Sequence, residues 1–290
     1  MINKNNFFVK SHGLGNDYIV MDSEKIDFNL DEKSIKTICD IHYGIGSDGI
    51  LLKVPSEKAD FGLRIFNPDG SEAEKSGNGL RIFCKFLYDY GFAKSKQFSV
   101  ETKGGIVKAV IEKEENGRAK VITVDMGKAI FEPKKIPVNI DKDECIGERL
   151  KAGDKEFEIN CVSVGNPHCV ILVDELPSEE EVKKYGSLIE NHAMFPNRIN
   201  VQFVKPISKN SAEIRIWERG AGYTLASGSS SSAVASVLVK RGITDKDVTI
   251  IMPGGTLKIS IPDNWDIKMT GEVQEICSGI LSEELTQQFR

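Results

Sequence analysis

RIFNPDGSEAEKSGNG, Arg64 to Gly79, is answered further along the chain by RIWERGAGYTLASGSS, Arg215 to Ser230. Arg64, Ile65, Phe66, Ser76, Gly77 and Gly91 recur as Arg215, Ile216, Trp217, Ser227, Gly228 and Gly242, each 151 positions later without a gap. Gly15-Asn16 with Gly165-Asn166, and Gly104-Gly105 with Gly254-Gly255, repeat at an offset of 150. A period of that length is a domain rather than a solenoid repeat, so it predicts two similarly folded halves. Each half then carries one Ser-Gly pair at the same structural place.

Apolar runs follow both pairs: Leu80, Ile82, Phe83, Cys84, Phe86 and Leu87 in the first half, Ala233, Val234, Val237 and Leu238 in the second. They are apolar on more than one face, which predicts central, buried helices. Ser76-Gly77-Asn78 and Ser227-Gly228-Ser229 would then lie at helix N-termini. Free backbone N–H groups and the positive end of the helix dipole attract an anion there. Related halves facing one another would oppose two such termini across a cleft.

The chain has 290 residues and a net charge of −5, with acidic and basic residues interspersed. That length accommodates two domains with cores of their own. Nothing in the charge pattern suggests a nucleic-acid or anionic-membrane surface, and no run approaches the ~20 apolar residues of a spanning helix. The N-terminus MINKNNFFVKSHG lacks the apolar core of a secretion signal, so a cytoplasmic location is expected. The six cysteines, Cys39, Cys84, Cys145, Cys161, Cys169 and Cys277, form no CxxC pair. With His12, His42, His168 and His192 also lacking ligand spacing, no metal is expected. Cys84, Cys161 and Cys169 sit in apolar runs and read as small core residues.

Along the chain, FFVKSHGLGNDYIVMD reads as two strands about a turn at Gly13 to Asn16, with INCVSVGNPHCVILVD as its counterpart. A helix is expected after each: Asp31 to His42, with Ile35, Ile38 and Ile41 inward, and Ser178 to Asn191, opened by the capping box Ser178 and Glu181. GIVKAVIEKEENGRAKVITVDM turns at Asn116-Gly117 as a hairpin, and DVTIIMPGGTLKISI is another. The halves are placed at 1–127 and 128–265, with 266–290 returning to the first.

Asparagines collect at the repeated turns: Asn16, Asn67, Asn78, Asn166 and Asn200, with Glu218-Arg219 standing opposite Asn67 in the repeat. Singly, each reads as a turn residue. Beside two Ser-Gly corners they supply the donors and acceptors that a small zwitterion needs. His168 follows Asn166-Pro167 in a repeated turn and reads equally as a site wall or a structural residue. The hydrolase elbow GxSxG and a phosphate loop are both absent around Ser76 and Ser227.

These motifs resemble the diaminopimelate epimerase family from end to end: HGLGNDYIV, NPDGSEAEKSGNGLR, VGNPHCV, FPNRINVQFV, WERGAGYTLASG, MPGG and MTGEV. The resemblance implies an α+β fold of two pseudo-symmetric domains, each a sheet wrapped around a central helix. It also implies cofactor-independent, PLP-independent inversion of an amino acid's α-carbon, usually by a homodimer, acting on LL- and meso-diaminopimelate in lysine biosynthesis. Carried onto this sequence, Asn16, Asn67, Asn166, Asn200, Glu218 and Arg219 would hold substrate. Gly77, Asn78, Gly228 and Ser229 would present N–H groups to its carboxylate. Position 49 is Gly where some members have a Gln that contacts substrate.

The two catalytic positions, cysteines in the family, are Ser76 and Ser227 here. A thiol's pKa of about 8.5 suits two-base proton transfer, whereas a hydroxyl is far less acidic. Tyr223 in place of Glu and the run Ser230 to Ser232 are further departures. They favour a branch that carries these serines naturally over serines introduced to stop turnover. Besides the epimerase, two readings stay open: a different isomerase or lyase on the same scaffold, and an inactive amino-acid-binding form.

Overall fold

A computed structural model describes residues 4–290. The chain divides into two compact units, the first running to Val124 and taking in Gly271–Arg290, the second being Asp125–Thr270. The first unit contains β1 (Phe7–Gly13), β2 (Asn16–Asp22), α1 (Glu32–Cys39), β3 (Ile50–Val54), β4 (Phe61–Phe66), β5 (Glu72–Ala73), α2 (Gly77–Asp89), β6 (Gln97–Thr102) and β7 (Gly105–Glu115). β8 (Arg118–Lys128) carries the chain into the second unit. That unit contains β9 (Ile146–Ala152), β10 (Lys155–Ser163), β11 (Pro167–Leu172), α3 (Glu179–Glu190), β12 (Asn200–Ser208), β13 (Ser211–Glu218), β14 (Gly222–Thr224), α4 (Gly228–Lys240), β15 (Asp247–Met252) and β16 (Gly255–Ser260). β17 (Asp266–Glu272) leads back, and β18 (Gln274–Ile280) belongs to the first unit.

Strand pairing repeats as the sequence does. In the second unit the neighbours run β9-β10-β11-β12-β13-β15-β16-β17, with parallel pairs at β11/β12 and β13/β15 and antiparallel pairs elsewhere. The first unit runs β18-β1-β2-β3-β4-β6-β7-β8, with parallel pairs at the corresponding places, β2/β3 and β4/β6. The last strand of the chain therefore fills in the first unit the place that β9 fills in the second. β5 and β14 are short additions to β4 and β13 that lead into the helices.

Both central helices are buried on all sides. In α2 every residue from Asn78 to Leu87 is buried, against β1, β2 and β7. In α4 Gly228 and the stretch Ser230 to Leu238 are buried, against β10, β11, β12, β15 and β16. A helix enclosed by a sheet has no solvent face, which explains why α4 carries small and apolar residues on every side and why even Arg81 and Lys85 of α2 are buried. Three serines of α4 stay satisfied by bonding back one turn: Ser231 Oγ to the Ser227 carbonyl at 2.9 Å, Ser232 Oγ to Gly228 at 2.8 Å, Ser236 Oγ to Ser232 at 2.7 Å.

Local chemistry sets the boundaries. Ser178 and Glu181 close a reciprocal capping box at α3, an arrangement in which the cap alone contributes about 1 kcal/mol. Asn116 and Gly117 take φ of 53° and 73°, the left-handed pair of a tight hairpin. α1, expected to reach His42, ends at Cys39, and Ile41 is 77% exposed rather than inward. Asp40 is the cause: its carboxylate accepts the N–H groups of His42 and Tyr43 at 2.7 and 2.8 Å, opening the helix. The chain then folds back so closely that a Cβ on Gly44 would sit 2.0 Å from the Thr37 carbonyl oxygen.

Candidate functional site

Ser76 is the N-cap of α2 and Ser227 the N-cap of α4, both in extended conformation (φ −140°, ψ 121° and φ −150°, ψ 126°). Ser76 Oγ accepts the Gly79 N–H at 3.0 Å and Ser227 Oγ accepts the Ser230 N–H at 3.3 Å. A capping side chain covers one donor of the first turn, and the leading N–H groups, those of Gly77 and Asn78 or of Gly228 and Ser229, have no acceptor within their own helix. Each corner is thus a small anion-attracting surface with a hydroxyl at its edge.

In the first unit the structure gathers Asn16, Ser76, Gly77 and Asn78. The β1/β2 turn passes through Leu14 and Gly15 at φ 58° and 85°. A leucine in that region stores about 1 kcal/mol of strain. Asn16 at the end of the turn donates to Asp48 Oδ2 at 2.9 Å and accepts from Asn78 Nδ2 at 3.4 Å. Asn78 Oδ1 accepts from Arg81 Nη2 at 2.6 Å, and Arg81 Nη1 donates to the Gly77 carbonyl at 3.3 Å. The Arg81 guanidinium lies fully buried beneath the helix N-terminus, where desolvation holds its pKa down to about 10. Asn67 is held in its own turn, its amide nitrogen donating to Ser71 Oγ at 2.9 Å. It follows Phe66, which pairs with Ile50, and Ile50 pairs with Ile19 beside Tyr18.

Tyr18 is a residue that the sequence reading passed over. It is buried, and its hydroxyl lies 3.3 Å from Ser76 Oγ. Gly49 makes room for it: at φ 155°, a Cβ there would meet the Phe66 carbonyl oxygen at 2.4 Å and Tyr18 Cε1 at 2.8 Å. The only sign in the sequence is the glycine at position 49.

In the second unit the strand ends of β11, β12 and β13 bring Asn166, His168, Asn200, Glu218 and Arg219 to one edge, since His168 pairs with Asn200 and Val201 with Trp217. Asn200 Nδ2 donates to the Pro167 carbonyl at 2.8 Å, and its Oδ1 accepts the Arg219 N–H at 2.9 Å. Arg219 Nη1 donates to the Asn197 carbonyl at 3.0 Å, and Glu218 Oε2 accepts from Thr224 Oγ1 at 3.2 Å. Beneath this edge lies Glu190, also missed. Its buried carboxylate accepts Trp217 Nε1 at 2.7 Å, Gly220 N–H at 3.0 Å and Arg198 Nη1 at 3.1 Å, which anchors the loop carrying Glu218 and Arg219. Its position one turn after inward-facing Gly186 was the available signal.

His168 is fully buried and bonded through Nε2 to Asn166 Oδ1 at 2.9 Å. Burial, aided by the nearby Arg219 cation and opposed by Gln202, pulls its pKa down to about 3, so the ring is neutral near pH 7. Gln202 lies close enough to the ring to act on its protonation, yet neither His168 Nδ1 nor Gln202 Oε1 has a partner with full hydrogen-bond geometry. Gln202 Nε2 donates to Ser230 Oγ at 3.0 Å, which links the strand edge to the first turn of α4. Ser229 Oγ stands 3.4 Å from Ser227 Oγ, and the Ser227 N–H points to Met252 Sδ at 3.4 Å.

Four of the six thiols are raised beyond the range of a useful acid or base near neutral pH. Burial pushes Cys39 up to about 12 and Cys84 and Cys161 higher still. Cys145 is raised by its bond with Cys161 and by burial. Among the described residues, no group of three or more His, Cys, Asp or Glu side chains is arranged to hold a metal ion, and no helix is long and apolar enough to cross a membrane.

The duplicated fold is shared with solved structures at low identity. A hydroxyproline epimerase from Agrobacterium vitis superposes with a TM-score of 0.71 at 14% identity, covering 97% of this chain and 93% of the other. A Bacillus anthracis phenazine biosynthesis protein of the PhzF family gives 0.68 at 16%, covering 96% and 99%. Sequence relatives are much nearer. Diaminopimelate epimerase 2 of Nostoc sp. is 49% identical over 279 residues, 96% of each chain. The diaminopimelate epimerase of Pelotomaculum thermopropionicum is 40% identical over 275 residues, 94% of this chain and 97% of the relative. The family model for diaminopimelate epimerase matches residues 8–132 and 160–276, and with it the chain belongs to that family.

Proposed function

We propose that the protein is a cofactor-independent epimerase that inverts an α-carbon of diaminopimelate, with Ser76 and Ser227 at the two proton-transfer positions. The observation that carries this reading is the doubled corner: two hydroxyls in the same N-cap conformation, each heading a buried helix. Names borne by relatives up to 49% identical supply the substrate.

The α-carboxylate is received by the N–H groups of Gly77, Asn78, Gly228 and Ser229. Asn16, Asn67, Asn166, Asn200, Glu218 and Arg219 hold the rest of the substrate. Removing the α-proton puts negative charge on the carboxylate oxygens, where preorganised N–H donors and two helix dipoles stabilise it more than in the ground state. One serine oxygen takes the proton from one face and the other hydroxyl returns a proton to the opposite face. The C–H bond broken is replaced by one of inverted configuration. Serine makes this step slow, because an aliphatic hydroxyl is a poor proton donor and its alkoxide is scarce at neutral pH. On the family's precedent the enzyme works in the cytoplasm as a homodimer.

Incubation in heavy water tests the reading. LL- and meso-diaminopimelate are expected to gain deuterium at the α-carbon and to interconvert, and Ser76→Ala or Ser227→Ala is expected to stop the interconversion. Thermal stabilisation by diaminopimelate with no exchange at all would leave an amino-acid-binding protein. The scarcity of bases around both hydroxyls is what favours that second reading.

A further inference from the structure

We infer that Tyr18 is a positioning and proton-relay residue for Ser76, so that the first corner works as a phenol–hydroxyl pair; this rests on the function proposed above. Ser76 Oγ already accepts the Gly79 N–H at 3.0 Å. A hydroxyl has one hydrogen and two lone pairs, so this leaves one hydrogen and one lone pair. One of them engages Tyr18 Oη at 3.3 Å, and the other is left for the substrate carbon. The serine oxygen thus connects the reacting atom to a phenol.

The connection has a chemical consequence. A phenol titrates near 10, between a thiol at about 8.5 and the 15.7 of bulk water, which stands for an aliphatic hydroxyl. When the pair acts as base, the C–H proton moves to Ser76 Oγ while the serine hydroxyl proton moves to the Tyr18 phenolate, leaving phenol, serine and carbanion. When it acts as acid, the serine proton goes to the carbanion and the Tyr18 proton refills the serine, leaving phenolate. Charge and protons balance in both directions without a free alkoxide. A phenol in the relay is thereby a stronger acid partner than an aliphatic hydroxyl alone.

The fold is built to keep the phenol there. Tyr18 pairs with Ser11 in β1, and the next residue's N–H, that of Ile19, donates to the Gly49 carbonyl at 3.0 Å. Gly49 leaves the ring a space that any side chain would fill. The second unit does not reproduce the arrangement. At the 150-residue offset Tyr18 becomes His168, whose ring bonds Asn166, and the hydroxyl within reach of Ser227 is that of Ser229 at 3.4 Å. The relay is confined to one corner.

Tyr18→Phe removes a single oxygen and keeps the ring, and equal melting temperatures establish that it folds. Deuterium uptake is then followed separately at L- and D-configured α-carbons of LL- and meso-diaminopimelate, before appreciable inversion. The expected result is a loss of at least ~10-fold at the configuration whose α-hydrogen meets Ser76, a modest share of the ~10²-fold or more that a positioned acid or base contributes. Uptake with retention at the other configuration persists, because Ser227 alone supports it, and inversion slows from both sides. Tyr18→Phe combined with Ser76→Cys is expected to restore inversion above the Tyr18→Phe level, since a thiol needs no relay. Equal slowing at both configurations, no slowing, or no rescue by the thiol overturns the role of Tyr18 alone. Absence of exchange at either configuration in the unaltered protein overturns the relay and the proposed function together.

Discussion

Ser76 and Ser227 occupy equivalent corners of equivalent strand orders, and their backbone angles differ by no more than about ten degrees (−140°, 121° against −150°, 126°). Their surroundings differ throughout. Under the first corner lie Leu51, Gly79 and the buried cation of Arg81, with Tyr18 at the hydroxyl. At the matching places under the second lie Gln202, Ser230 and Ser232, with neutral His168 in place of the tyrosine. Duplication has preserved what the fold requires, a cap and a buried helix, and left the polar lining free to diverge. A difference in lining at constant backbone is a difference in proton chemistry, because acidity depends on neighbours and solvent access rather than on φ and ψ. The two corners are therefore chemically unequal versions of one repeated strand order.

The largest expected effect comes from returning thiols to both corners. Ser76→Cys with Ser227→Cys is expected to raise α-proton exchange and inversion by ~10²- to 10⁴-fold, the range that a matched acid or base contributes. Initial rates of deuterium uptake by diaminopimelate measure it. Inequality of the corners adds a finer expectation. The gain from Ser76→Cys alone should be the smaller, since Tyr18 already assists that hydroxyl, while the side chain bonded to Ser227 Oγ is the aliphatic hydroxyl of Ser229. Equal single gains would make the corners equivalent after all.

How far the amino-acid order alone reveals such a frame follows from the range of the forces involved. The duplication, the α2 and α4 starts and the α3 capping box are written in local or periodic signals, and a cap is fixed by residues three positions apart. Ile41 was misread because the Asp40 carboxylate competes for the backbone N–H groups that would have continued α1. Tyr18, Glu190 and Gln202 were out of reach for a different reason. Their partners are 58, 27 and 28 residues away, so only strand register brings them together. A tyrosine in an apolar strand reads as core until the register shows a hydroxyl at its tip.

A second difference between the corners is how each unit responds to acid. His168 titrates at about 3 in the folded chain, and near 6.5 once unfolded. Between those values the unfolded chain binds the extra proton and the native one does not, so stability falls as pH falls. The slope from this one group is at most about 1.4 kcal/mol per pH unit. The contribution is complete above pH 6.5 and is lost through the descent toward pH 3. His168→Gln should be the less stable protein at pH 7, having lost the bond to Asn166, and the gap to wild type should close between pH 6.5 and pH 4. Urea unfolding at several pH values gives the two curves. A gap that stays constant would place the ring in contact with solvent.

The smallest effect tests whether the polar lining of the second corner is a unit. Gln202 Nε2 and Ser230 Oγ bond at 3.0 Å where the first unit has Leu51 and Gly79, a pair that can be transplanted. Gln202→Leu alone takes away the donor to a fully buried hydroxyl, a loss of about 1 to 3 kcal/mol. Ser230→Gly alone strands the Gln202 amide, which already has one unpaired oxygen, and adds about 0.5 kcal/mol for glycine in place of serine in a helix. The two changes together remove both polar partners, so the double variant should be less destabilised than the sum of the singles by about 1 kcal/mol. Denaturant midpoints of the four proteins give the coupling. A sum that is strictly additive would mean that Gln202 and Ser230 are independent neighbours, and that the second corner differs from the first residue by residue rather than as one hydrogen-bonded replacement.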